Sequence, residues 1–148
     1  MYSWDRHDRL SAVGALTLAP RRRRLGLYFD IYPENITADH LVPFLCWLQR
    51  QLRRSLLVIL DRLNAHRKAA RILTGKHPRR FRFAWLPAYA PELNPVEALW
   101  NHAKYADLAN YIPPNLNNLE DKLEDSIIQT RFKPALLRSF FRYAKLPI

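Results

Sequence analysis

The sequence predicts a mixed α/β protein in which helices cover a sheet, and three observations lead there. Its patterned segments run strand, strand, helix, strand, helix, strand, then helices only. A strand–helix–strand unit favours parallel pairing, and the sheet it builds needs helices on its faces. The run "LLVIL" at 56–60 is short and wholly apolar, the pattern of a strand buried on both faces. Finally, 148 residues, 49% of them hydrophobic, suffice for a core and set the expectation of one domain over 1–148.

"LSAVGALTLAP" and "LGLYFDIYP" are rich in strand formers and joined by "RRRR" at 21–24, which predicts two antiparallel strands and a basic loop. In the second, Leu25, Leu27, Phe29 and Ile31 share a face. From about Thr37 to Arg54, Leu41, Leu45, Leu48 and Leu52 recur at helical spacing, although Pro43 lies deep for a first turn and threatens a shift or kink. "NAHRKAARILTG" predicts the helix after "LLVIL", closed by Gly75, and "FRFAW" alternates as a further strand. Helices come next at 95 to about 108, at about 118–131 with Asn117 and Glu120 as a capping pair, and around Leu136, Leu137, Phe140 and Phe141. Trp47 and Trp85 read as core, and Trp100, one turn beyond Glu97, as packing rather than base stacking.

Charge narrows the partners. Twenty-four Lys and Arg against 13 Asp and Glu leave +11, with a pI near 10.3. Such a balance points to a polyanion, nucleic acid first. No apolar run reaches membrane-spanning length, and the charged N-terminus lacks a secretory signal. With a single cysteine, Cys46, no internal disulfide forms, and a cytoplasmic setting is expected. The clusters Arg21, Arg22, Arg23, Arg24 and Lys76, Arg79, Arg80 read either as phosphate contacts or as solvated loops.

Two carboxylates stand out. Asp61 ends the apolar strand, where open α/β sheets carry ligands. It reads either as a turn or cap residue or as a metal ligand. Glu97 comes after Asn94 and Pro95 and completes the pattern of a capping box. Capping does not explain the prolines at 87, 91 and 95, which lower the freedom of the unbound loop and hold the downstream segment in place. Two carboxylates held so firmly suit two-metal phosphoryl transfer.

"LLVILDRLNAH" and "WLPAYAPELNPVEALW" together resemble the catalytic core of the DDE transposases, in the bacterial insertion-sequence branch of the mariner-like superfamily. The matching residues are Asp61 with His66 in D-x-x-x-x-H, and Tyr89, Pro91, Asn94, Pro95, Glu97 and Trp100 in Y-x-P-x-x-N-P-x-E-x-x-W. Thirty-five residues separate Asp61 from Glu97, near the family's spacing. The resemblance implies an RNase H-like mixed sheet flanked by helices, with Asp61 and Glu97 as catalytic Mg²⁺ ligands (Mn²⁺ substituting) and His66 and Asn94 lining the site. It also implies double-stranded DNA as partner, both transposon ends and a TA target, and a nucleoid-associated protein.

One departure accompanies it. The family's first catalytic Asp lies on a strand preceding the match to "RLSAVGALTL", where only nine residues stand here. Asp5, Asp8 and Asp30 are poor substitutes by position. The expectation is therefore a sheet lacking its first strand, inactive alone, from a truncated copy or a frameshift partner. Such a chain would self-associate, as a homodimer, or need its missing N-terminal portion.

Overall fold

The computed structural model describes residues 10–21, 24–104 and 116–146. The chain divides into two compact units, Met1–Asn35 with Glu92–Ile148, and Ile36–Pro91. The fold is mixed α/β. Among the described residues the strands make two two-stranded sheets, one antiparallel and one parallel, rather than a single sheet, and five α-helices accompany them. Each strand's ladder is met by its nearest partner along the chain, through a short loop in one case and a crossover helix in the other.

In the first unit β1 (Ser11–Leu18) pairs antiparallel with β2 (Leu25–Tyr32), Gly14 opposite Phe29. The expected inward face of β2 is observed: Leu27 is buried, with Leu25, Phe29 and Ile31 packed against the core. The helices of this unit, named in chain order after the two in the second unit, are α3 (Pro95–His102), α4 (Leu116–Arg131) and α5 (Pro134–Tyr143). Leu119, Leu123 and Ile127 recur every four residues on α4 and join Leu99, Trp100, Leu137 and Phe140 in one core. Arg131 ties the end of α4 to β2, since its Nε donates to the Leu27 carbonyl at 2.9 Å and its guanidinium lies 5.5 Å from the Phe29 ring centre. Because α4 begins at Leu116, Asn117 lies inside the first turn and is not the cap expected of it. The stretch predicted as helix beyond 104 lies outside the described residues.

In the second unit Thr37 caps α1 (Ala38–Leu52), and its backbone N–H donates to His40 Nδ1 at 3.0 Å in a reciprocal box. Pro43 stands inside this helix without ending it, because the buried stripe Leu41, Phe44, Leu45 and Leu48 outweighs one missing backbone bond. β3 (Leu56–Leu60) runs parallel to β4 (Phe81–Trp85), joined by α2 (Asn64–Lys76). Gly75 sits within α2, which closes at His77, so the expected glycine stop is corrected: φ at Gly75 is not left-handed and the helix runs past it.

Two burial expectations are also corrected. Leu57 and Ile59 are 65% and 55% exposed, so β3 is half-covered on one face only; a two-stranded sheet has too little helix around it to bury both. Trp47 and Trp85 are 39% and 38% exposed rather than core, while Trp100 is buried at 6%.

The glycines give a paired test. A β-carbon on Gly14 would lie 2.8 Å from Cζ2 of buried Trp100, whereas one on Gly75 would meet nothing within 4 Å. Gly14→Ala is expected to destabilise by about 1–3 kcal/mol through overpacking. Gly75→Ala is expected to stabilise by about 0.5–1 kcal/mol, as a helix interior gains from the exchange. Urea denaturation midpoints of the two variants check both signs.

Candidate active site

Asp61 stands just past the last residue of β3, and the turn into α2 is built on it. Leu63 N donates to Asp61 Oδ1 at 3.2 Å, and His66 Nδ1 lies 2.5 Å from the same oxygen. Five residues apart, Asp and His meet because the turn spans two residues and α2 then carries His66 back over the strand end. Asp61 is not the α2 N-cap: that position is Leu63, which makes no side-chain cap bond. The Asp61 side chain is 37% exposed and that of His66 20%. Water reaches the carboxylate, and among the described residues nothing bonds its second oxygen, Oδ2.

Neutral His66 must carry its proton on Nδ1 to donate to a carboxylate, which turns Nε2 into an acceptor. The pair thus holds one carboxylate oxygen and leaves the other open.

Glu97 belongs to the other unit. Asn94 is the N-cap of α3, its Oδ1 accepting from Val96 N at 3.1 Å, and Pro95 takes the first helical position. Glu97 N donates to the Asn94 carbonyl at 3.0 Å, but no bond from the Glu97 carboxylate back to the Asn94 amide is formed. The capping box read from the sequence is therefore half made. The Asn94 side chain bonds the Val96 amide, and the partly buried Glu97 carboxylate has no hydrogen-bond partner among the described residues. Leu99 and Trp100, buried in the core, anchor this short helix.

Between β4 and α3, Leu86 N donates to Leu60 O at 2.8 Å, Tyr89 holds a left-handed φ of 57° with its side chain fully exposed, and Pro91–Leu93 form a 3₁₀ turn. Among the predicted phosphate contacts, Arg21, Arg24, Lys76, Arg79 and Arg80 are all exposed. Arg22 and Arg23 lie outside the described residues, as do Asp5 and Asp8. Asp30 is spoken for locally, by its neighbour's backbone N–H (3.0 Å) and the Tyr32 hydroxyl (2.7 Å).

A strand-end carboxylate with one free oxygen, an unengaged glutamate on a proline-led helix and a basic surface agree with a family match over residues 1–120, to the DDE superfamily endonucleases. The chain belongs to that family. No curated protein and no solved structure matches it. Family membership makes this endonuclease a DNA-directed one, of a kind that typically uses divalent metal.

The donor chemistry fits such a metal. Taken singly, Asp61 through its open Oδ2 and Glu97 through its carboxylate are each a hard oxygen donor, and Mg²⁺ is commonly bound through one or two carboxylates with the remaining positions filled by water. Among the described residues no group of three His, Cys, Asp or Glu side chains converges.

One set of residues escaped the sequence reading. Arg62, Arg67 and Arg71 share a groove with Phe83 and Trp85. They do not form a charge run, so composition hides them; the available signal was Arg67 and Arg71 four apart on a predicted helix.

Tyr32 carries a pH signature of the Asp30 contact. Burial, then the hydrogen bond to Asp30, then the charges of Asp30 and Glu34 push its hydroxyl up to about 12. A folded-state value above the unfolded one means that the stabilisation is complete below pH 10 and is lost as pH rises toward 12. Tyr32→Phe is expected to flatten that alkaline loss, read from denaturation midpoints between about pH 9 and 11.5.

Proposed function

We propose that this endonuclease is the catalytic region of a transposase from the bacterial insertion-sequence branch of the mariner-like superfamily. It is one RNase H-like domain over 1–148 that cuts double-stranded DNA at transposon ends and joins the freed 3′ ends to target DNA. The observation that carries this reading is Asp61 at the C-terminal end of a parallel strand, one oxygen held by His66 and the Leu63 amide and the other open.

Asp61 and Glu97 would hold Mg²⁺, or Mn²⁺ in its place, and the metal's contribution is to activate the attacking oxygen and offset charge on the leaving one. His66 keeps Asp61 in one orientation, as an outer partner of a metal-binding carboxylate does. Asn94 sets the first turn of α3 and thereby the direction in which Glu97 projects. Prolines 87, 91 and 95 limit the conformations open to the chain leading to it. In cleavage, water attacks phosphorus and the P–O3′ bond breaks, leaving a 3′-hydroxyl and a 5′-phosphate; in transfer that hydroxyl attacks a target phosphorus, a new P–O3′ bond forms, and the target's own P–O3′ bond breaks to release a target 3′-hydroxyl.

A third acid, supplied by a second copy in a homodimer, completes the set. The protein acts in the bacterial cytoplasm, on the nucleoid. The alternative reading is a DNA-binding remnant that cuts nothing, for which the net charge of +11 is the supporting observation.

Nicking of terminal-repeat DNA by the protein in Mg²⁺ decides between them. Asp61→Asn and Glu97→Gln are each expected to lower the rate by about 100-fold or more, and His66→Ala by about 10-fold. A Glu97→Gln rate equal to wild type overturns the assignment of Glu97, because a capping role is carried by Asn94 and would leave cutting untouched.

A further inference from the structure

The second unit carries a cleft remote in character from the acids. It is a groove of about 820 Å³ along α2 and β4, within the range of about 300–1,000 Å³ usual for ligand clefts. Arg62, Arg67 and Arg71 supply its charge, Phe83 and Trp85 its aromatic floor, and among the described residues no acidic side chain lines it. Its space arises from small residues: Ala70, Thr74 and Gly75 face it, and a β-carbon added at Gly75 would still meet nothing within 4 Å.

Nothing within the described residues answers this charge. α2 holds Arg67, Lys68, Arg71 and Lys76 and no acid, and neither Arg67 nor Arg71 has an ion-pair partner among the described residues. Like charges four apart on a helix repel, and cations in its first turns oppose the helix dipole. The fold tolerates this arrangement at a cost that a polyanion would remove. Arg62 is fixed differently: its Nε donates to the Leu86 carbonyl at 3.0 Å, which pins a third guanidinium at the end of β4.

The aromatic pair decides which polyanion. Trp85 is 38% exposed at the end of an edge strand, where burial would be the apolar default. In a duplex the base faces are stacked on one another and unavailable to a ring. In an unpaired strand they are free, and a basic groove with aromatic rings is the way proteins hold such strands without reading sequence. We propose that this groove binds an unpaired stretch of DNA, its phosphates on Arg62, Arg67 and Arg71 and a base against Trp85. The inference uses the family's DNA substrate and is independent of the roles of Asp61 and Glu97.

The test is fluorescence anisotropy of labelled oligo-dT and of a blunt duplex of equal length, with the full chain and no divalent metal, so that failure of cleavage cannot be mistaken for failure of binding. The groove substitutions are expected to weaken oligo-dT more than the duplex. Trp85→Ala should weaken oligo-dT about tenfold, with Trp85→Phe recovering most of the loss. Arg67→Ala with Arg71→Ala should lower the log–log salt slope for oligo-dT by about 1.4, at roughly 0.7 per phosphate contact on a single strand. Far-ultraviolet circular dichroism confirms that each variant is folded, and the salt slope of the Arg67→Ala, Arg71→Ala variant keeps the test decisive if Trp85→Ala is not. A folded Trp85→Ala that binds oligo-dT as wild type does, or a folded Arg67→Ala, Arg71→Ala variant with an unchanged salt slope, overturns the proposal.

Discussion

Two strands that run the same way cannot be joined by a tight turn; the chain must travel back along a crossover before the second can pair. That constraint governs the unit Ile36–Pro91. β3 and β4 lie side by side with Leu60 opposite Trp85, and α2 is the return path. Everything chemically notable in this unit stands where the crossover begins or along its length. Asp61 leaves β3 at the point where the ladder ends, and the first turns of α2 bring His66 back onto it. The same helix lays Arg67 and Arg71 along a groove beside β4.

The two faces of this arrangement have different electrostatic logic. At the strand end, a carboxylate is held by one ring nitrogen and one amide through a single oxygen, which fixes its direction without consuming its capacity to accept. Along the helix, cations stand without acids among the described residues to answer them. A protein of net charge +11 is steered toward DNA at long range by its whole field. Local groups then determine whether a phosphate is merely held or lies where chemistry occurs.

The first unit is stabilised by a different contact. Trp100 enters the space that Gly14 leaves open on β1, and that contact carries α3, with Glu97 three residues before the ring, onto the hairpin. A residue with any side chain at 14 would contest the place of the tryptophan, and with it the seat of the helix that bears the second carboxylate. Arg131 closes the same unit from the opposite end of its sequence, reaching from α4 to the Leu27 carbonyl.

Much of this was legible in the amino-acid order. Periodicity located the four strands, the inward face of β2 and the stripe along α1, since alternation and the 3.6-residue repeat are local properties of the chain. The order strand–helix–strand foretold the parallel pair, and the proline-bounded segment together with Asp61 marked the candidate acids and foretold the endonuclease family that the chain matches. Features that depend on neighbours were not legible. "LLVIL" has the composition of a strand covered twice, yet Leu57 and Ile59 stand in the open, because coverage is set by how many elements surround a sheet. The Asn94–Glu97 pattern fits a capping box, yet only Asn94 closes its bond, because a side chain's partner depends on the geometry of the turn. Trp85 carries the hydropathy of a core residue and lies on the surface for the same cause. Residue types and spacing, which are intrinsic to the chain, determined the elements and the candidate acids; the tertiary structure alone decided which faces were covered and which distant cations came together, since both require segments remote in sequence to meet.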